Sequence, residues 1–132
     1  MTGGRLGLRR PTTTVYGMLR LRTIGRKSGR ERAVIVAYFE DGPNLVTMAM
    51  NGWDDAPPAW WLNLRAQPLA TVVLPGRARR HVRAREAEDV ERERLWAVFR
   101  TLENDGSDLD ALAALRSRPT PVIVLEPVEA TR

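Results

Sequence analysis

The sequence predicts an α+β domain: a small, partly open, mainly antiparallel β-barrel of about six strands with three flanking helices. Three observations carry this. Short runs rich in β-branched residues are joined by the turn signals Asp41-Gly42-Pro43-Asn44 and Pro75-Gly76. Helical periodicity is confined to a few segments inserted between hairpins, giving the order β-β-β-α-β-β-α-α-β rather than regular alternation. A chain of 132 residues, 43% of them hydrophobic, fits one domain with one modest core.

Residues 1–14 show no period and read as a flexible basic arm, leaving residues 15–132 as the domain. Residues 15–23 alternate, with Val15, Leu19, Leu21 and Thr23 on one face and Tyr16, Met18, Arg20 and Arg22 on the other, as a strand does. Residues 32–40 are β-branched and aromatic, a second strand, and 45–50 a third. Asp54 and Asp55 before Pro57-Pro58 suit a helix start, and the helix 59–66 stops ahead of Pro68. Residues 69–74 form a fourth strand. Residues 77–85 form a fifth, with Arg77, Arg79, His81, Arg83 and Arg85 on a solvated face.

Residues 88–102 give the clearest helix, with Leu95, Val98, Phe99 and Leu102 on one stripe and Glu88 four residues before Arg92. Asn104-Asp105-Gly106 ends it, and Ser107-x-x-Asp110 caps a further helix to about residue 116. Residues 122–126 close the set as the last strand.

Composition narrows the chemistry. The chain lacks cysteine, which excludes disulfides, thiolate metal sites and a thiol nucleophile, and it has one histidine. No metal site and no catalytic triad can be assembled from this inventory. No apolar run is long enough to span a membrane, and no signal peptide is visible, so a cytoplasmic location is expected, with peripheral membrane association left open. The net charge of +5 comes from twenty arginines and one lysine. Arginine excess on that scale also follows from codon bias, so charge alone does not define a partner.

Two segments are chemically dense. Gly25-Arg26-Lys27-Ser28-Gly29-Arg30-Glu31-Arg32 packs four cations, two glycines and a hydroxyl behind a strand, and contains the only lysine. A glycine-bounded turn can aim backbone N–H groups and cations at one phosphate or carboxylate cluster. A solvated hairpin turn has the same composition, and the spacing is not that of a P-loop. The second segment is 49–64, where Trp53, Trp60 and Trp61 cluster and Trp60, Asn63 and Leu64 share a helical face. A Trp beside an Asn suits a planar, amide-bearing ring, and equally suits a core anchor with a local cap. His81, on the arginine face, reads as a surface residue.

Taken in order, these segments resemble the deazaflavin-dependent nitroreductase family, also called coenzyme F-420H2-dependent quinone reductases. The matching pieces are Thr23-x-Gly25-Arg26-Lys27-Ser28-Gly29-x-x-Arg32, Asp41-Gly42, Pro58-x-Trp60-x-x-Asn63-Leu64 with Ala66-x-Pro68, Val82-x-Ala84, Glu91/Arg92 with Trp96, and residues 121–127. The resemblance implies a split β-barrel of the flavin-reductase type, with hydride transfer from reduced coenzyme F-420 to a small hydrophobic quinone, nitro compound or activated alkene. It implies that Arg26, Lys27, Ser28, Gly29 and Arg32 meet the coenzyme's phosphate and oligoglutamate tail. Trp60 and Asn63 then lie near its ring, with Met50, Asn51 and Gly52 beside it, and no protein acid or base is marked as catalytic.

The sequence leaves the family pattern in three places. Met50-Asn51-Gly52-Trp53 replaces Ser-Lys-Gly-Gly, Ile35 replaces a proline, and positions near Gly106, Leu109 and Leu112 lack the family's pocket tyrosines. An aliphatic acceptor pocket around Trp53, Leu109 and Leu112 is therefore expected. Two other readings stay open: a non-catalytic binder of F-420, FMN or another anion on the same fold, and a basic nucleic-acid-binding barrel. The last is disfavoured because aromatics are not interleaved with the basic strand 77–85. Monomer and homodimer both fit.

Overall fold

The computed structural model describes residues 8–13, 15–50, 56–102 and 119–128. Six strands are present: β1 (Gly17–Ile24), β2 (Glu31–Asp41), β3 (Asn44–Met48), β4 (Leu69–Val73), β5 (Arg79–Glu86) and β6 (Val122–Pro127). Two helices accompany them, α1 (Ala59–Ala66) and α2 (Asp89–Thr101). The third expected helix lies outside the described residues.

All strand pairs are antiparallel and follow the closed order β1-β2-β3-β6-β5-β4. The expected partly open barrel thus closes in pairing order, because β1 pairs with β2 on one side and with β4 on the other. A split nevertheless persists. β2 is 11 residues long and pairs with β1 over residues 31–38, but with the five-residue β3 only at Phe39, Glu40 and Asp41. Among the described residues, no strand pairs with the outer side of β2 over residues 31–38. Edge strands accept proline because a backbone donor is not needed there, so the position of Ile35 is one where proline fits.

The alternation read from the sequence is the alternation of burial. Leu19, Leu21 and Thr23 point inward, with Leu45, Val72, Val82, Ile123 and Leu125 from the other strands. α1 adds Trp60, Trp61 and Leu64 to this core. Its start follows Pro58, whose carbonyl accepts from the N–H groups of Trp61 and Leu62. α2 packs Leu95, Trp96 and Phe99 on the opposite side of the sheet, where Phe99 meets Phe39 edge-on at 4.7 Å.

Several boundaries differ from expectation for local reasons. β1 starts at Gly17 rather than at residue 15, because Thr12 and Val15 close a turn: Val15 N–H donates to Thr12 Oγ1, and Thr12 N–H to the Val15 carbonyl. Gly17 must be small, since a Cβ there would fall 2.7 Å from the Arg9 carbonyl and from the Tyr38 ring. Within the expected arm, Arg9 is tied to the barrel by paired backbone bonds with Met18. β5 starts at Arg79 because residues Pro75–Arg77 form a 3-10 turn, with Arg77 at φ 68°. The expected Glu88–Arg92 pair is not made among the described residues. Arg92 instead donates to the Thr120 carbonyl and lies over the Trp96 ring, fastening α2 to the lead-in of β6.

α2 is also clamped electrostatically. Arg85 on β5 donates both Nη atoms to the Glu91 carboxylate, at 2.6 and 2.8 Å, and its Nε lies 3.0 Å from Glu126. The Arg85 guanidinium holds the Glu91 carboxyl below its ordinary value of 4.5, and Arg94 does the same to Asp41. Both carboxylates bind protons less readily folded than unfolded. Their contribution is therefore present above the unfolded pKa values and lost as pH falls through the folded ones. Thermal melts from pH 7 down to pH 3 should show a steeper loss of Tm in the wild type than in Glu91→Gln. Parallel curves would show that the clamp adds nothing measurable.

Candidate functional site

The turn between β1 and β2 is built to be rigid. Gly25 N–H donates to the Arg30 carbonyl at 2.8 Å, Gly29 N–H to the Gly25 carbonyl at 2.8 Å, and Arg30 N–H to Ser28 Oγ at 3.1 Å. Gly29 sits at φ 71°, where glycine carries no Cβ penalty. Gly25 permits the close approach, because a Cβ there would meet Ser28 Oγ at 2.8 Å.

The remaining anchor comes from α1, 37 positions further on. Asn63 is 4% exposed; its Oδ1 accepts from Arg26 N–H at 3.1 Å and from Arg26 Nη1 at 3.0 Å. Its Nδ2 donates to the buried Thr23 Oγ1 at 3.2 Å. Asn63 is therefore a latch between the helix, β1 and the loop, and its side chain is occupied by those contacts. The sequence expectation of a backbone nest is altered in the same way. The N–H groups of Gly25, Gly29 and Arg30 serve the loop itself and that of Arg26 serves Asn63, leaving those of Lys27 and Ser28. Any grip on an anion falls mainly to the exposed side chains of Arg26, Lys27, Ser28 and Arg32.

Those side chains line a cleft of about 620 Å³ that runs from the loop to Val34, Pro58, Trp60 and Asn63. One end is cationic and hydroxylated, and the other is apolar and aromatic. Gly29 shapes the loop without lining the cleft. A second cavity, of about 370 Å³, continues past the shared residues Val34, Pro58 and Trp60. It is lined by four consecutive residues of β2, Val34 to Ala37, together with Met48, Met50 and Phe99. Successive strand side chains point to opposite faces, so four in a row meet one cavity only where it lies against the strand's edge. This is the unpaired edge left by the short β3.

Trp60 is thus both a core residue and the wall common to the two cavities. Asn51, Gly52, Trp53, Leu109 and Leu112 lie outside the described residues. Tyr38 is not a pocket phenol: it is 1% exposed inside the barrel, and burial raises its pKa, with Glu40 adding to the effect. His81 lies in a separate cavity with Arg22, Gln67 and Thr71, its Nδ1 3.3 Å from Thr71 Oγ1. Among the described residues no group of acidic and histidine side chains could hold a metal, and no helix is long and apolar enough to cross a membrane. The sequence reading missed Thr23, Val34 and Pro58 in the first cavity. The inward phase of Thr23 was visible, but nothing local linked it to Asn63.

A cleft with a cationic loop at one end and a tryptophan at the other suits a planar molecule with an acidic appendage. The model of the F-420H(2)-dependent quinone reductases matches residues 2–127 of the chain. The chain belongs to this family. An F-420H(2)-dependent quinone reductase of Mycobacterium tuberculosis is 32% identical over 125 residues, covering 94% of this chain and 81% of the relative. Among solved structures, an F-420H2-dependent reductase superposes with TM-score 0.70 at 27% identity, covering 83% of this chain and 93% of its own. A protein described as a domain-swapped dimer superposes with TM-score 0.69 at 28% identity, covering 83% and 79%. This quinone reductase is accordingly an oxidoreductase on a split β-barrel, and its coenzyme is F-420. The non-catalytic and nucleic-acid readings give way to that result.

Proposed function

We propose that the loop cleft of this quinone reductase binds F-420 in one direction, with its phosphate and acidic tail at Arg26, Lys27, Ser28 and Arg32 and its ring against Val34, Pro58 and Trp60. The convergence of these residues on one cleft of about 620 Å³ carries the reading. The donor set fits the group: three cations and a hydroxyl for a polyanion, and apolar and aromatic walls for a tricyclic ring.

Bound there, the reduced coenzyme supplies a hydride from C5 of its deazaflavin. The protein's part is binding and exclusion. Asn63 holds Arg26 in place, so the anion meets a preset loop rather than one it must order. Trp60 and Pro58 keep water from one side of the ring site and lead into the second cavity. Met50 lines that second cavity. Asn51 and Gly52 are proposed to continue the ring site. Trp53, Leu109 and Leu112 are proposed to border the acceptor, making the pocket aliphatic and favouring quinones and activated alkenes over nitro compounds. A homodimer is the proposed assembly, supported by the similar structure described as a domain-swapped dimer.

The test is a titration with F-420 and FMN side by side, read by tryptophan quenching. F-420 should bind more tightly than FMN. Lys27→Ala and Arg32→Ala should each weaken F-420 by roughly 1–3 kcal/mol, the scale of a hydrogen bond to a charged group. Affinity unchanged in both variants would place the tail elsewhere, and preference for FMN would overturn the assignment of the cleft.

A further inference from the structure

The cavity that holds His81 shares no residue with the loop cleft. β1 separates the two. Its side chains alternate, so Thr23 lines the coenzyme cleft while Arg22 and Ile24 line this other cavity, of about 440 Å³. Strand pairing lays a polar row across it. Arg22 on β1 stands opposite Thr71 on β4, and Thr71 opposite His81 on β5. Gln67 adds an amide from just beyond α1.

These polar groups are poorly matched within the chain. Arg22 Nε is shut off from water and has no hydrogen-bond partner. The guanidinium makes one ion pair, from Nη1 to Glu31 at 3.5 Å, and the Glu31 side chain is 57% exposed. A long, exposed pair of this kind contributes only about 0–1 kcal/mol. It also leaves the Nε–Nη2 edge, which can take a carboxylate in two parallel bonds, without a partner among the described residues. His81 meets Thr71 through Nδ1 at 3.3 Å, and its Nε2 has no partner among the described residues. Arg79 and Arg83, two positions to either side of His81 on the same strand face, are exposed and add positive potential.

The rim is apolar. Ile24 is 37% and Leu69 45% exposed, two of the four large hydrophobic side chains exposed among the described residues, and both border this cavity together with Val128.

We propose that this cavity is a second ligand site, taking a small aliphatic carboxylate. Its carboxyl group sits on the Arg22 guanidinium, beside His81 and Gln67, and its hydrocarbon lies on Ile24, Leu69 and Val128. The charge of the ligand follows from the donors: a neutral molecule would leave Arg22 as it is, and a cation would face Arg22, Arg79 and Arg83. Its aliphatic body follows from the walls, where His81 is the single ring. The group it displaces is the Glu31 carboxylate. Arg22 turns its Nε edge outward to the ligand, and a donor that was buried unpaired gains an acceptor.

The test is a chemical-shift titration of the 15N-labelled, coenzyme-free chain with octanoate, and with 1-octanol as the uncharged molecule of the same chain length. Octanoate should shift the amides of Arg22, Gln67, Thr71 and His81, leave those of Lys27 and Ser28 in place, and bind more tightly than octanol. Arg22→Met should weaken octanoate at least ten-fold, as for a hydrogen bond to a charged group, and leave octanol unchanged. Glu31→Gln removes the competing carboxylate at an exposed position and should strengthen octanoate about three-fold.

No binding of octanoate, or equal affinity for octanoate and octanol, would overturn the proposal. Shifts confined to the 25–32 loop would also overturn it, by placing the carboxylate in the coenzyme cleft. Arg22→Met that binds octanoate like the wild type would do the same. If Arg22→Met does not fold, Glu31→Gln decides: affinity unchanged or lowered there counts against the site.

Discussion

Replacing Asn63 by leucine should destabilise the fold by about 3 kcal/mol and weaken F-420 binding by about a hundred-fold. The substitution removes three hydrogen bonds, one of them from the Arg26 guanidinium, and leaves the Thr23 hydroxyl and the Arg26 N–H unpaired. Thr23 is 1% exposed, so its loss is not repaired by water. The loop then loses its tie to α1, and the cations that line the cleft lose their common orientation. Asn63→Asp separates the two consequences. Aspartate still accepts from Arg26, and the Thr23 hydroxyl can turn to donate to it. Its charge, however, neutralises Arg26 and repels an anion nearby. Denaturant unfolding should place Asn63→Asp within about 1 kcal/mol of the wild type, while its F-420 affinity falls at least ten-fold. Equal affinity in Asn63→Asp and the wild type would show that Arg26 does not meet the coenzyme.

Trp60→Ala should cost about 3–5 kcal/mol of stability, the usual range for truncating a buried large aromatic. Trp60 is 8% exposed and packs in the barrel core with Trp61 and Leu64. It also walls both cavities, so its truncation joins them into one wide space. F-420 and menadione affinities should therefore fall together, which no loop substitution is expected to cause. Trp60→Phe guards against a merely unfolded variant. It keeps an aromatic face and most of the packing, and should retain the fold with both affinities reduced by a smaller, shared factor. Loss of one affinity without the other in Trp60→Phe would mean that the two cavities do not share this wall in function.

Much of the barrel was legible because its determinants are local. The alternation of Leu19, Leu21 and Thr23, the Asp41-Gly42 turn and the stripe of Leu95 and Phe99 each specify an element without reference to distant chain. The cationic loop was legible for the same reason. What the sequence did not show depends on pairing across the fold. Asn63 reads as a cap or a ring contact until α1 is seen to bring it against Arg26 and Thr23. Arg92 reads as the partner of Glu88 until the Thr120 carbonyl comes within its reach. The second cavity exists because β2 outruns β3, a mismatch in strand length that no single segment carries. Tyr16 reads as sharing a strand face with Met18, and its tie to Arg9 is seen only in the fold. Ser28, expected to face an anion, is shared with the loop's own backbone through Arg30.

The central claim is that the 25–32 loop grips the anionic end of the coenzyme. It is tested most directly by comparing F-420 with its deazaflavin chromophore lacking the phosphate and acidic tail, on the wild type and on the double variant Lys27→Ala/Arg32→Ala. The wild type should bind F-420 far more tightly than the bare chromophore, and the double variant should bind the two almost equally, its affinity for the chromophore unchanged. A double variant that keeps the full preference for F-420 would contradict the account, because the tail would then be held somewhere other than this loop.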